Sequence, residues 1–98
     1  MPLQPKTEIP DAETLALRAL TFLATDGERL GRFLSVTGIG PAELRRTAGD
    51  RAMLAGVLEY LLQDETLLLV FATEAGVQPE AIPAAHRMLA GHHGSDCG

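Results

Sequence analysis

Apolar residues recur along this chain at helical spacing, with little of the strict alternation a strand would show. Between Asp11 and Thr25, the residues Leu15, Ala19, Phe22 and Leu23 fall on overlapping faces of a 3.6-residue period. Asp11 stands where a helix N-cap belongs. Asp26 opens a second helix, whose Leu30, Phe33 and Leu34 lie at i, i+3 and i+4. A short third helix is predicted from Pro41 to about Ala48. Asp50 then starts a fourth that carries Met53, Leu54, Val57, Leu58, Leu61 and Leu62, and Asp64 starts a fifth. The fifth contains the run TLLLVFA and is apolar almost all round, which predicts that it is the central element. A sixth is expected from about Pro79 to Ala90. Pro83 lies about one turn inside it, where its missing N–H removes the bond to the Pro79 carbonyl, so this helix either kinks or begins at Ile82.

Displacing the sequence by 38 residues lays 15–46 on 53–84 without gaps. Leu20/Leu58, Leu23/Leu61, Asp26/Asp64, Leu30/Leu68, Phe33/Phe71, Gly38/Gly76 and Pro41/Pro79 are then identical pairs, and Phe22 aligns with Tyr60. The matches fall on apolar and punctuating residues, the positions that define a fold, which predicts two related three-helix units.

The corner Thr37-Gly38-Ile39-Gly40-Pro41 gathers several helix signals. Gly38 suits a left-handed position closing one helix, Gly40 an N-cap, and Pro41 the first position of the next. Ile39 and Leu44 flank that start as a hydrophobic staple. The second copy, Ala75-Gly76-Val77-Gln78-Pro79, repeats the pattern without the second glycine, with Val77 and Ile82 as its staple. Gly-x-Gly between helices is also the pattern of the helix-hairpin-helix, whose glycines bring backbone N–H groups close to a DNA phosphate. Downstream this chain departs from it, with Leu44 and Thr47 where that motif places a small and an aliphatic residue.

Composition narrows the function classes. The 98 residues suffice for one small core, and the 46% apolar content is that of a globular chain. A net charge of −5 argues against a general nucleic-acid or anionic-membrane binder. The longest apolar run, Leu67 to Ala72, falls well short of the ~20 residues of a membrane span. Met1 to Pro10 has three prolines and no apolar core of a secretory signal, which points to a cytoplasmic protein.

Charge is unevenly spread. Residues 1–51 hold seven basic and seven acidic side chains; residues 52–98 hold one basic residue, Arg87, and six acidic ones. Arg29, Arg32, Arg45, Arg46 and Arg51 lie within 23 residues around the first corner, with Glu28, Glu43 and Asp50 interleaved. They form the candidate docking patch, for an acidic protein partner or, as the alternative, for weak and steeply salt-dependent nucleic-acid binding.

No nucleophile–base–orienter set can be assembled, so no catalytic residue and no cofactor is expected. Asp26, Asp50 and Asp64 stand at expected N-caps, and His86 is the only histidine of the expected fold. Glu59, Asp64 and Glu65 form an acidic junction, read as solvated. His92, His93, Asp96 and Cys97 are metal-ligand types in a glycine-rich tail, which lacks the rigid frame a zinc site needs. The lone Cys97 excludes an intramolecular disulfide.

The segments RFLSVTGIGPAELR, VLEYLLQDETLLLVFA and AGVQPEAI resemble a small bacterial family of helical domains of unknown function, over about residues 11–90. The resemblance implies an all-helical domain and no activity, cofactor or site residue. In that family the residue before the first corner's proline is often Asp or Ser, where this chain has Gly40.

The expected architecture is therefore all-α: a compact bundle of about six short helices over residues 11–90, in units 11–48 and 50–90, between flexible tails 1–10 and 91–98. The expected role is a non-enzymatic protein-interaction module, an adaptor or regulator. A Leu-rich domain this small leaves room for a homodimer.

Overall fold

A computed structural model describes residues 11–90 as six α-helices with no strand among the described residues. They are α1 (Ala12–Ala24), α2 (Gly27–Thr37), α3 (Pro41–Thr47), α4 (Arg51–Leu62), α5 (Glu65–Ala75) and α6 (Ala81–Ala90). The expected tails, and with them His92, His93, Asp96 and Cys97, lie outside the described residues.

Local chemistry sets the helix starts. The Asp11 carboxylate accepts from the Glu13 and Thr14 N–H groups, and that of Asp26 from Glu28 and Arg29. Asp64 accepts from the Leu67 N–H at 3.1 Å. Each bond satisfies a donor that the helix itself leaves orphaned. Asp50 occupies the N-cap of α4 with extended backbone, but its side chain makes no capping hydrogen bond.

The two glycine corners close differently. Gly38 and Gly76 both adopt left-handed backbone, with φ of 77° and 72°. The Gly38 N–H bonds the Leu34 carbonyl, a single-bond left-handed cap. At Gly76 the N–H bonds the Thr73 carbonyl while the Val77 N–H reaches Ala72, the two-bond Schellman closure. Gly40 is the N-cap of α3 at φ −84° and ψ 160°, with Pro41 first in the helix. Any residue adopts that backbone, and a Cβ added at Gly40 would meet nothing within 4 Å. The corner thus requires its first glycine and not its second.

The sixth helix corrects the expected start at Pro79, because it begins at Ala81. Pro79 and Glu80 form a turn in which the Ala81 N–H bonds Gln78 and the Ile82 N–H bonds Pro79. Pro83 is then the third helical residue, where an N–H would have had no helical partner. The Pro79 carbonyl that Pro83 cannot serve is taken by Ile82, so no kink is needed. This start also removes the Val77–Ile82 staple as drawn: Ile82 is the second residue of α6 and is buried.

The core is built from α1, α4 and α6, which pack on one another. Leu15, Leu23, Leu54, Leu58, Leu61 and Ile82 are its largest aliphatic side chains and have almost no solvent exposure. The central element is α4, not α5 as its composition predicts. Helix α5 buries only Leu68, Phe71 and Ala72 and leaves Leu69 exposed. Helix α3 buries no residue, whereas α6, its counterpart under the 38-residue displacement, covers both α1 and α4.

Two aromatic contacts lock the outer helices to the core. Phe22 of α1 meets Phe71 of α5 with ring centroids 5.3 Å apart, and Phe33 of α2 meets Tyr60 of α4 edge-on at 5.2 Å. Arg51 at the start of α4 ties three helices, pairing with Glu13 of α1 at 3.4 Å and donating to the Met88 carbonyl of α6 at 3.1 Å.

Candidate functional site

The helices scatter the five arginines of the sequence window. Arg29 lies over the Phe22 ring, with its guanidinium carbon 4.4 Å from the centroid, and its Nε is 3.9 Å from Asp26. That cation–π contact stiffens the α1–α2 junction. Arg51 is occupied by Glu13 and Met88, as above. Arg32, Arg45 and Arg46 are exposed and form no ion pair among the described residues.

Arg29 and Arg32 line a small cavity where the starts of α2 and α5 meet, beside Tyr60, Asp26, Glu28 and Asp64. Three carboxylates against two guanidiniums make this a poor place for an anion. Arg51 lines a separate groove, and Arg45 and Arg46, in the last turn of α3, line neither. The cluster is therefore a property of the sequence window and not one shared pocket.

The other candidate groups are likewise dispersed. His86 is half-buried and lines the α4–α6 groove with Arg51 and Glu59, while Asp64 caps α5. Glu59 and Asp64 thus serve different surfaces. Tyr60 is buried, and its hydroxyl makes no hydrogen bond to a described residue. Among the described residues no three His, Cys, Asp or Glu side chains gather into a group able to hold a metal ion. No described helix is long and apolar enough to cross a membrane.

Another partly apolar surface lies along α1 and α5. A groove of about 490 Å³ runs between them, floored by Phe22 and Phe71 and flanked by Leu17 and Ala75. Its α1 wall repeats at helical spacing through Thr14, Leu17, Arg18, Thr21 and Thr25. The Thr21 hydroxyl donates to the Leu17 carbonyl at 3.0 Å and that of Thr25 to Phe22 at 2.8 Å, so both are satisfied within the helix. Arg18 and Glu74 are the only charged residues lining the groove, and neither forms an ion pair among the described residues.

Beyond Glu74 the surface continues over the outer face of α5. Thr66, Leu69, Val70 and Thr73 stand at i, i+3, i+4 and i+7 and line a shallow depression there. This spacing puts them on one face of the helix, where Thr66, Leu69 and Thr73 are exposed and Val70 is half-buried against the core. Leu17 in the groove and Leu69 in the depression are each 43% exposed.

The sequence pattern does not point to this surface, because the apolar character of α5 predicts burial on all sides. The signal lies in the threonine–leucine stripes of α1 and α5, set apart from the inward faces that hold Leu15, Leu23 and Phe71.

A family model described as protein of unknown function, DUF3572, matches residues 10–92. The chain belongs to that family. No curated protein and no solved structure matches it. Both glycine corners, the aspartate caps and the α1–α5 surface fall within the span shared with DUF3572.

Proposed function

We propose that this DUF3572 domain is a protein-interaction module that works by covering the α1–α5 surface with another polypeptide, without catalysis of its own. The observation that carries this reading is the outer face of α5, where Thr66, Leu69 and Thr73 stand exposed at helical spacing beside the half-buried Val70. Burying apolar area of this kind contributes about 25 cal/mol per Å² before the costs of association. The dispersed arginines support it less well, because Arg29 and Arg51 are already engaged with Phe22, Glu13 and Met88.

The test is capture from the native host with three tagged baits: the unaltered chain, Leu69→Asp, and the fourfold change of Arg29, Arg32, Arg45 and Arg46 to Glu. A polypeptide held by the unaltered chain and lost from Leu69→Asp is the expected result. Retention by Leu69→Asp with loss from the arginine variant moves the working face to the basic helices and overturns the α5 assignment.

A further inference from the structure

We infer that the small cavity where the starts of α2 and α5 meet binds a free α-amino acid, at a site separate from the α1–α5 surface. The cavity holds about 260 Å³. Pockets for drug-sized ligands run to roughly 300–1,000 Å³, so the guest here is smaller than those.

Tyr60 is the residue that calls for a guest. It lines this cavity and is 8% exposed, yet its hydroxyl makes no hydrogen bond to a described residue. Packing does not require that hydroxyl. Phe22, its counterpart under the 38-residue displacement, makes its own ring contact as a phenylalanine. Tyr60 therefore holds a donor and an acceptor that the fold leaves unspent, and a buried polar group is costly until something bonds it.

The charges around it select the guest. Asp26 and Asp64, matching positions of the displacement, both line the cavity. Each spends Oδ1 on its helix start, and each Oδ2 accepts no hydrogen bond from a described residue. The nearest cation to either is the Arg29 Nε, 3.9 Å from the Asp26 Oδ2. Arg32 also lines the cavity, exposed and without an ion pair among the described residues. A simple anion would meet the carboxylates of Asp26, Glu28 and Asp64, and a simple cation would meet Arg29 and Arg32. A zwitterion meets neither conflict, because its ammonium goes to the unspent aspartate oxygens and its carboxylate to the Arg32 guanidinium. The Tyr60 hydroxyl accepts from the first or donates to the second.

Tyr60 is the only tyrosine and the chain has no tryptophan, so its emission reports the site directly. The full-length chain is titrated with glycine, L-alanine and L-serine and, as the two halves of the zwitterion, with acetate and methylammonium. A saturable change in emission with at least one amino acid, and none with either half at the same concentration, is the expected result. Calorimetric titration then compares Tyr60→Phe and Arg32→Gln, each expected to bind that amino acid at least about tenfold more weakly. Both variants should keep their helical circular dichroism, since a phenylalanine fills the matching position 22 and Arg32 is exposed. No saturable change with any of the amino acids up to about 10 mM, tenfold above a millimolar Kd, overturns the assignment. Equal binding of acetate or methylammonium, or unchanged affinity in either variant, overturns it as well.

Discussion

Phe22 and Phe71 meet at 5.3 Å with tilted rings across the α1–α5 boundary, and their counterparts under the 38-residue displacement, Tyr60 and Phe33, meet edge-on at 5.2 Å. Position 22 shifts to 60 and position 71 shifts back to 33, so the displacement carries one contact onto the other. Glu13 and Arg51 also differ by 38 and pair with each other. In both contacts a ring from residues 11–48 meets one from residues 50–90.

Truncating either aromatic pair should cost more than its area alone. Phe71 is 2% exposed, and Phe71→Ala is expected to destabilise the domain by about 3–5 kcal/mol. A double-mutant cycle of Phe22→Leu and Phe71→Leu should show a coupling of about 0.5–1.5 kcal/mol, read by urea denaturation. Additive effects would show that the two rings merely share a cavity.

A fragment of residues 1–48 should be largely unfolded. It keeps α1 to α3 but loses α4 and α6, which cover α1, and the Tyr60 ring that meets Phe33. A well-dispersed, exchange-protected NMR spectrum from that fragment would contradict this.

The two glycines of the first corner should respond with opposite signs. Gly38→Ala places a Cβ on left-handed backbone and is expected to destabilise by about 1–2 kcal/mol. Gly40→Ser should stabilise by about 0.5–1 kcal/mol, because it adds a capping oxygen and restricts the unfolded chain. Thermal melts of both variants check the pair, and equal losses would mean that Gly40 does more than cap.

The aspartates at helix starts should not be equivalent. Asp26→Ala removes an acceptor of two N–H groups and is expected to cost about 1 kcal/mol. Asp50→Ala removes a side chain with no capping bond and should cost distinctly less. A like loss at both positions, measured by urea denaturation, would show that Asp50 caps in solution.

Arg51→Ala should cost about 0.2–1 kcal/mol through the Glu13 pair, the range of exposed ion pairs, since both partners are about half exposed. That part should shrink in high salt. The bond to the Met88 carbonyl predicts a salt-insensitive remainder, so Arg51→Ala should exceed Glu13→Gln in molar salt.

The sequence declared where helices begin more plainly than how they rank. Asp11, Asp26, Asp64 and Pro41 act within a turn of themselves, so their local chemistry could be read directly. The prominence of α4 depends on which faces α1 and α6 present, and that is decided by partners far along the chain. Composition misled for α5, since Leu69 counts as apolar although it is exposed, and Leu67 and Val70 are only half-buried. The arginine window misled for a related reason. Nearness in sequence says little about nearness in space once helices turn Arg29 onto a ring and Arg51 across to α6. At the last helix, Pro79 offered a start as good as that of Pro41, while Pro83 pointed to a kink or a start at Ile82, and the helix begins one residue earlier, at Ala81.

The position of α6 bears on the order in which the fold can be made. It is the last of the six helices to be synthesised, yet it covers α1, the first, as well as α4. Until it emerges, the apolar faces of α1 and α4 have only each other and the thinner cover of α2 and α5. Nascent chains of this domain therefore carry an exposed interior until α6 has been made, and a stop codon anywhere before Ile82 leaves a product that chaperones and proteases can distinguish from the folded domain.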